Sequence, residues 1–183
     1  NVYATTNGGV IKFNLESQSF TEMGFDEGLW PLDLTSILVD ENLIWVADAN
    51  GSLQIYNLDS GTIDKVYHLD FIDKITELNS TKNFMFAISH GNTQDGLLQF
   101  ANDNGDIHYQ NYFQNFPVAF SQIYDIHIVD DAIYVALDSG LISAEVNSTS
   151  LYLSSEWTVV DDSESIFQIT DSYYFTENSI KLI

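Results

Sequence analysis

Apolar residues fall in short runs along this chain, each closed by Asn, Asp, Gly or Ser, and their spacing is that of β-strands. Leu34-Thr35-Ser36-Ile37-Leu38-Val39 reads as one strand, ended by the acidic turn Asp40-Glu41-Asn42. Leu43-Ile44-Trp45-Val46-Ala47 is almost wholly apolar, as expected of a strand buried on both faces. Asp48-Ala49-Asn50-Gly51 predicts a tight turn, because Asn-Gly readily takes positive φ. Ser52 to Leu58 predicts a third strand, with Leu53, Ile55 and Leu58 apolar, and Asp59-Ser60-Gly61 closes it. Thr62 to Leu69 is a fourth, more polar strand that suits an outer edge. No convincing amphipathic helix interrupts the pattern.

The same order recurs. Ala4, Asn7, Gly8, Asn14, Leu15 and Ser17 return 43 positions later as Ala47, Asn50, Gly51, Asn57, Leu58 and Ser60. Ile44-Trp45-Val46-Ala47 returns 89 positions on as Ile133-Tyr134-Val135-Ala136, with Gly51 matched by Gly140. Val2 to Glu22 supplies three strands. Later units place strands at Ile75–Leu78, Phe84–Ile88, Leu97–Phe100 and Asp106–Asn111, then at Ile123–Val129, Ile133–Leu137, Leu141–Val146 and Leu151–Val160. Ile166–Thr170, Tyr173–Thr176 and Ile180–Ile183 begin another unit, and a second Asn-Gly pair stands at Asn104-Gly105. Four-strand repeats of about 40–45 residues predict an all-β chain of β-propeller blades, each covered by its neighbours. The expected division is a partial blade over 1–33, blades over 34–72, 73–121 and 122–163, and a partial blade over 164–183. With blades cut at both ends, the chain reads as a portion of a larger ring. It opens directly on Asn1-Val2-Tyr3 inside a repeat, which predicts a start after processing or within a longer protein.

Gly28-Leu29, Leu34 to Asp40, Leu43 to Ala47, Gly51-Ser52-Leu53 and Tyr56 to Gly61 together resemble the two-component regulator propeller repeat. Ala4 to Val10, with Gly8-Gly9, carries the glycine pair of that repeat. The resemblance is good over two units and thinner over the others, where Ser89 to Asp95 inserts residues. Similar repeats build periplasmic sensor propellers of hybrid histidine kinases and the N-terminal propeller of PorZ-like proteins of type IX secretion. The resemblance therefore implies a bacterial, extracytoplasmic setting: periplasm, cell surface or secreted. These glycines and aromatics belong to the scaffold and name no substrate.

Charge narrows the partners. The chain has 27 acidic residues, five lysines and no arginine, for a net charge of −22. Nucleic acid and anionic membrane surfaces are disfavoured, since phosphate binding needs clustered Lys or Arg. There is no cysteine, so disulfides and thiolate chemistry are excluded. No run approaches the roughly 20 apolar residues that span a bilayer.

Candidate chemistry is sparse. His68, His90, His108 and His127 have no zinc-ligand spacing and read as structural or surface residues. No GxSxG elbow or phosphate loop is present, and Ser89-His90-Gly91 lies in the insertion without an arguable triad. Asp161, Asp162 and Glu164, and the segment Asn102 to Asp106, are the acidic loops best suited to calcium, because hard cations want several oxygens from one short loop. Neither has EF-hand spacing. Asn79-Ser80-Thr81 and Asn147-Ser148-Thr149 are glycosylation sequons, meaningful only in a eukaryotic host. Trp30-Pro31 and Phe116-Pro117 lie 86 positions apart, each in a loop entering the next unit. With Phe25, Tyr112, Phe113 and Phe120 around them, Trp30, Tyr112, Phe113 and Phe116 are candidates for a rigid aromatic platform; the competing role is plugging gaps between blades. The expectation is a non-catalytic module binding an envelope protein or surface glycan, with no cofactor; calcium is the one ion for which the acidic loops leave room. A ligand-sensing periplasmic propeller is the second reading and a glycan-cleaving propeller the third.

Overall fold

The computed structural model describes residues 1–91, 93–103 and 105–183. Asn92, in the inserted segment, and Asn104, in the second Asn-Gly pair and the acidic segment 102–106, lie outside the described residues. The fold is all-β. The strands are β1 (Val2–Thr6), β2 (Gly9–Asn14), β3 (Ser19–Met23), β4 (Leu34–Asp40), β5 (Leu43–Asp48), β6 (Ser52–Asn57), β7 (Thr62–His68), β8 (Lys74–Ser80) and β9 (Phe84–His90). They continue as β10 (Gly96–Asp103), β11 (Asp106–Phe113), β12 (Ile123–Val129), β13 (Ala132–Leu137), β14 (Gly140–Glu145), β15 (Thr158–Asp161), β16 (Ile166–Ile169), β17 (Tyr173–Thr176) and β18 (Ile180–Leu182).

These strands form antiparallel meanders in chain order. Among the described residues three sheets have four strands, β4-β5-β6-β7, β11-β10-β9-β8 and β12-β13-β14-β15, and two have three, β1-β2-β3 and β16-β17-β18. The chain forms two compact units, residues 1–78 and 79–183, with the division inside β8.

Burial explains the strand order. β5 and β6 are buried along nearly their whole length, and β9, β10 and β13 behave alike, whereas β7 alternates exposed and half-buried positions. Middle strands are therefore covered on both faces while the last strand of the meander meets solvent. In the first unit Val10, Met23, Leu29, Leu34, Ile44, Val46 and Tyr56 form one core. In the second, Phe86, Ile88, Phe113, Phe116, Ile126, Ile142 and Trp157 belong to a larger core, and Ala136, Leu141, Ile166, Ile169 and Tyr174 form a smaller one.

The turns have identifiable causes. Asp48 Oδ1 accepts the amides of Asn50 at 2.7 Å and Ser52 at 3.1 Å, and Gly51 takes φ 76°, so the β5–β6 turn is an Asp-capped turn with its glycine in the left-handed region. Gly140 opens β14 at φ 141°, and a Cβ there would stand 2.1 Å from the Asp161 carbonyl oxygen. Only glycine lets β14 and the end of β15 approach that closely.

One element differs from the sequence reading. Leu151 to Val160 reads as a strand, but the ladder begins only at Thr158. Residues 146–153 are turns and loop, and a single 3-10 turn covers Ser154–Glu156. The apolar residues that suggested a strand are core plugs: Leu151 and Trp157 are 2 % and 4 % exposed, and Trp157 Nε1 donates to Leu151 O at 2.8 Å. A second feature is invisible to periodicity. The pairing of β4, β12 and β16 slips at the same early position, between Leu34 and Ser36, Ile123 and Asp125, and Ile166 and Gln168. Each slip is a bulge that re-aims one side chain. In the second unit it brings Tyr124 and Phe167 to ring centroids 5.1 Å apart.

Candidate functional site

The loop between β3 and β4 begins at Gly24 and holds a 3-10 turn over Phe25–Glu27. Glu27 Oε2 accepts the Gly24 amide at 2.7 Å, and the Leu29 amide reaches back to Gly24 O at 3.0 Å. Gly28, at φ 90°, ends the turn in the left-handed conformation. Leu29 is fully buried and anchors the loop in the first unit's core.

Past Leu29 the chain turns outward. Trp30 is 66 % exposed and Phe25 68 % exposed, with ring centroids 6.0 Å apart in an edge-to-face arrangement at 87°. Two large rings at the surface cost burial that the core would have provided, yet the backbone beneath them is fixed. Gln54, buried in the middle of β6, accepts the Trp30 amide at 2.9 Å through Oε1 and donates through Nε2 to Pro31 O at 3.4 Å. An amide side chain can do both at once. The result is a pinned loop with two exposed rings, flanked by exposed Asp26 and Asp33 and half-buried Glu27.

The other aromatic candidates lie in the second unit and do different work. Phe113 and Phe116 are 3 % and 7 % exposed. Phe116 stands 4.7 Å from the Trp157 ring centroid and 5.1 Å from that of Phe120, and Phe113 stands 6.3 Å from Trp157. They are core, so the expectation that Phe113 and Phe116 offer rings to a ligand is corrected, and the gap-filling role applies to them. Tyr112 lies against Gly96, where an added Cβ would meet its ring at 2.2 Å, and its hydroxyl accepts from Ser89 Oγ at 3.3 Å. Burial pushes the Tyr112 phenol up from its usual range, partly offset by the Ser89 hydrogen bond. Trp30 alone of the four remains a largely exposed ring.

The acidic candidates Asp161 and Glu164 lie against a lysine. Lys181 Nζ sits 2.6 Å from Asp161 Oδ2, 3.2 Å from Ser163 Oγ and 3.4 Å from Glu164 Oε1. Asp161 also accepts from Tyr174 Oη at 2.9 Å and from Ser163 Oγ at 2.6 Å. The chain's own ammonium thus stands against Asp161 and Glu164 of the acidic loop named for calcium, and Asp162 is exposed beside it. The Lys181 and Ser163 hydrogen bonds hold the Asp161 carboxyl far below the ordinary carboxylate range, and the Asp161 bond raises Lys181. Among the described residues no three His, Cys, Asp or Glu side chains converge as a metal-ligand group.

Histidines are dispersed over separate pairs. His90 Nδ1 contacts Asp95 Oδ1 at 2.8 Å, and Asp95 Oδ2 accepts the Ile123 amide at 2.9 Å, so Asp95 ties the end of β9 to the start of β12. His127 Nε2 meets Asp171 at 2.7 Å, and His68 Nδ1 meets Ser52 Oγ at 3.2 Å. A cleft of about 460 Å³ opens in the second unit between the β8–β9 and β12–β13 turns, lined by Lys82, Asn83, Ile128, Asp130, Asp131 and Val146 among others.

Sequence reasoning missed Gln54. The available signal was an amide in the middle of the third strand, Ser52-Leu53-Gln54-Ile55-Tyr56, where burial demands a partner.

No protein-family model matches the chain, and no curated protein matches it in sequence. Solved structures do match in fold. The extracellular domain of a putative one component system from B. thetaiotaomicron aligns with TM-score 0.64 at 17 % identity, covering 97 % of this chain and 25 % of that one. The β-propeller domain of Cps50 (Swd1) from Myceliophteria thermophila aligns with TM-score 0.65 at 10 % identity, covering 93 % and 56 %. The computationally designed protein Ika4 aligns with TM-score 0.57 at 11 % identity, covering 82 % and 89 %. This chain thus spans about half the length of the Cps50 chain and a quarter of the extracellular domain. At these identities the likeness concerns the fold alone: an all-β chain of antiparallel four-stranded sheets resembling β-propeller structures.

Proposed function

We propose that this chain is a non-catalytic interaction module that docks a protein partner through the Gly24–Asp33 loop. One observation carries the reading: Phe25 and Trp30 are both about two-thirds exposed while Gln54, buried beneath them, holds the Trp30-Pro31 backbone at two points. Rings left in water on a preorganised backbone lose little entropy on binding, and Trp is among the residue types that dominate interface energetics. The sheets are read as blades of about 43 residues within a larger propeller, divided as the repeat divides the sequence. The regulator-propeller and PorZ-like resemblance, with the extracellular domain among the structural matches, supports an extracytoplasmic place at a bacterial envelope or surface.

The test is a pull-down from envelope extracts with the wild-type chain and with Trp30→Ala. A protein captured by the first and lost with the second supports docking by this loop, and equal capture by both removes it. A second reading, a ligand-sensing propeller, is favoured by the one-component-system match. It predicts that a small ligand raises the melting temperature of the chain without any partner protein. A surface glycan bound in a Trp30-dependent way would keep the loop as the docking site and change the partner's class. Turnover of a polysaccharide by the purified chain would overturn the non-catalytic reading.

A further inference from the structure

We infer that the partner segment seated on the Gly24–Asp33 loop is cationic, bearing Lys or Arg side chains; this rests on the docking role proposed for that loop. The rings and the charges point the same way. An aromatic face carries the negative end of the ring quadrupole, and Trp is the best of the three aromatic types at attracting an ammonium or guanidinium held within about 6 Å. The same ten-residue loop carries Asp26, Glu27 and Asp33 and no basic residue.

The asymmetry continues into the strand that leads to the loop. Glu22, exposed one residue before the end of β3, adds a further acid beside the loop, and between Lys12 and Lys65 the sequence contains no Lys, Arg or His. An acidic partner would meet this field as repulsion, and a neutral sugar would gain nothing from it. A guanidinium can stack on the exposed Trp30 ring while its edge donates to a neighbouring carboxylate, which makes Arg the better fit of the two cations. Elsewhere the chain places its own lysines near ring faces, Lys12 at 5.9 Å from the Tyr3 centroid and Lys181 at 5.9 Å from that of Tyr174. The Phe25–Trp30 loop presents the same chemistry outward.

Fluorescence makes the loop directly observable. Trp45 and Trp157 are 2 % and 4 % exposed, so quenching by acrylamide reports chiefly on Trp30. The experiment titrates the purified chain with a tetra-arginine peptide, a tetraglutamate peptide and a neutral glucan tetrasaccharide, by calorimetry and by protection of Trp30 from acrylamide. Tetra-arginine is expected to bind saturably and to protect Trp30, weakening severalfold between about 50 and 200 mM salt as exposed charges are screened. Trp30→Ala should reduce its affinity roughly fivefold or more, Trp30→Phe should recover part of that loss, and Asp26→Asn with Asp33→Asn should weaken binding and flatten the salt dependence. Circular dichroism checks that each variant is folded. Unchanged tetra-arginine affinity in Trp30→Ala would mean general attraction to an acidic chain and would overturn the inference. Trp30-dependent binding of the tetraglutamate or the tetrasaccharide, with none of tetra-arginine, would overturn the cationic partner and leave the docking loop standing. Absence of Trp30-dependent binding for all three probes would overturn the cationic partner, while equal capture by wild type and Trp30→Ala in the pull-down is what would remove the docking loop.

Discussion

Replacing Phe116 by alanine separates a core aromatic from a surface one at positions that the repeat treats as equivalent. Phe116 is 7 % exposed and packs edge-on against Trp157, with Phe120 on another side. Truncation removes nearly a whole buried ring, and Phe→Ala in a well-packed core costs about 3–5 kcal/mol. For a chain of this length each kcal/mol shifts the melting temperature by roughly 2–4 °C, so the expected fall is on the order of 10 °C. Trp30→Ala should behave differently. Its ring is already 66 % exposed, so little burial is lost, and the edge-to-face contact with Phe25 contributes about 0.5 kcal/mol or somewhat more at an exposed position. The assay is urea unfolding followed by far-ultraviolet circular dichroism, with the near-ultraviolet aromatic signal as a second probe. Two costs within about 1 kcal/mol of each other would refute the reasoning, because it depends wholly on the difference in burial.

Three further outcomes are expected. Asp161 has its carboxyl pKa depressed by Lys181 and Ser163, so its contribution is complete above the unfolded carboxylate range and is lost as pH falls through the folded value; acid titration of Asp161→Asn should show a smaller loss of stability below about pH 4 than the wild type shows. Gly140→Ala combines a positive φ with a Cβ 2.1 Å from the Asp161 carbonyl oxygen, and should cost about 2 kcal/mol or more by chemical denaturation; a loss below about 0.5 kcal/mol would contradict the tight β14–β15 approach. Gln54→Leu keeps the volume of β6 and removes both bonds to the Trp30-Pro31 backbone, so it should cost about 1–3 kcal/mol and raise the mobility of Trp30, read as lower fluorescence anisotropy.

The antiparallel meanders were legible because each strand carries its own instructions. Apolar runs such as Leu43 to Ala47 can be satisfied only by cover on two faces, and turns such as Asp48 to Gly51 reverse the chain with local hydrogen bonds alone. Leu151 to Val160 reads as a longer strand than the ladder holds for the same reason in reverse: periodicity registers that Leu151 and Trp157 need burial and is silent on whether a ladder or a core pocket supplies it.

Of the site, the sequence by itself determined the inventory: an aromatic at Trp30 and at Phe116, acids at Asp161, Asp162 and Glu164, and a strongly negative chain. Only the tertiary structure decided which of them remain available. Phe116 found Trp157 and Phe120 and went inside, while Trp30 was held outside by a glutamine 24 positions along the chain. Asp161 found Lys181, 20 positions away, and its charge is matched from within. Strand and turn preferences act over a few residues and survive in the sequence as patterns. Exposure and charge pairing are settled by partners far apart along the chain, and those exist only once it has folded.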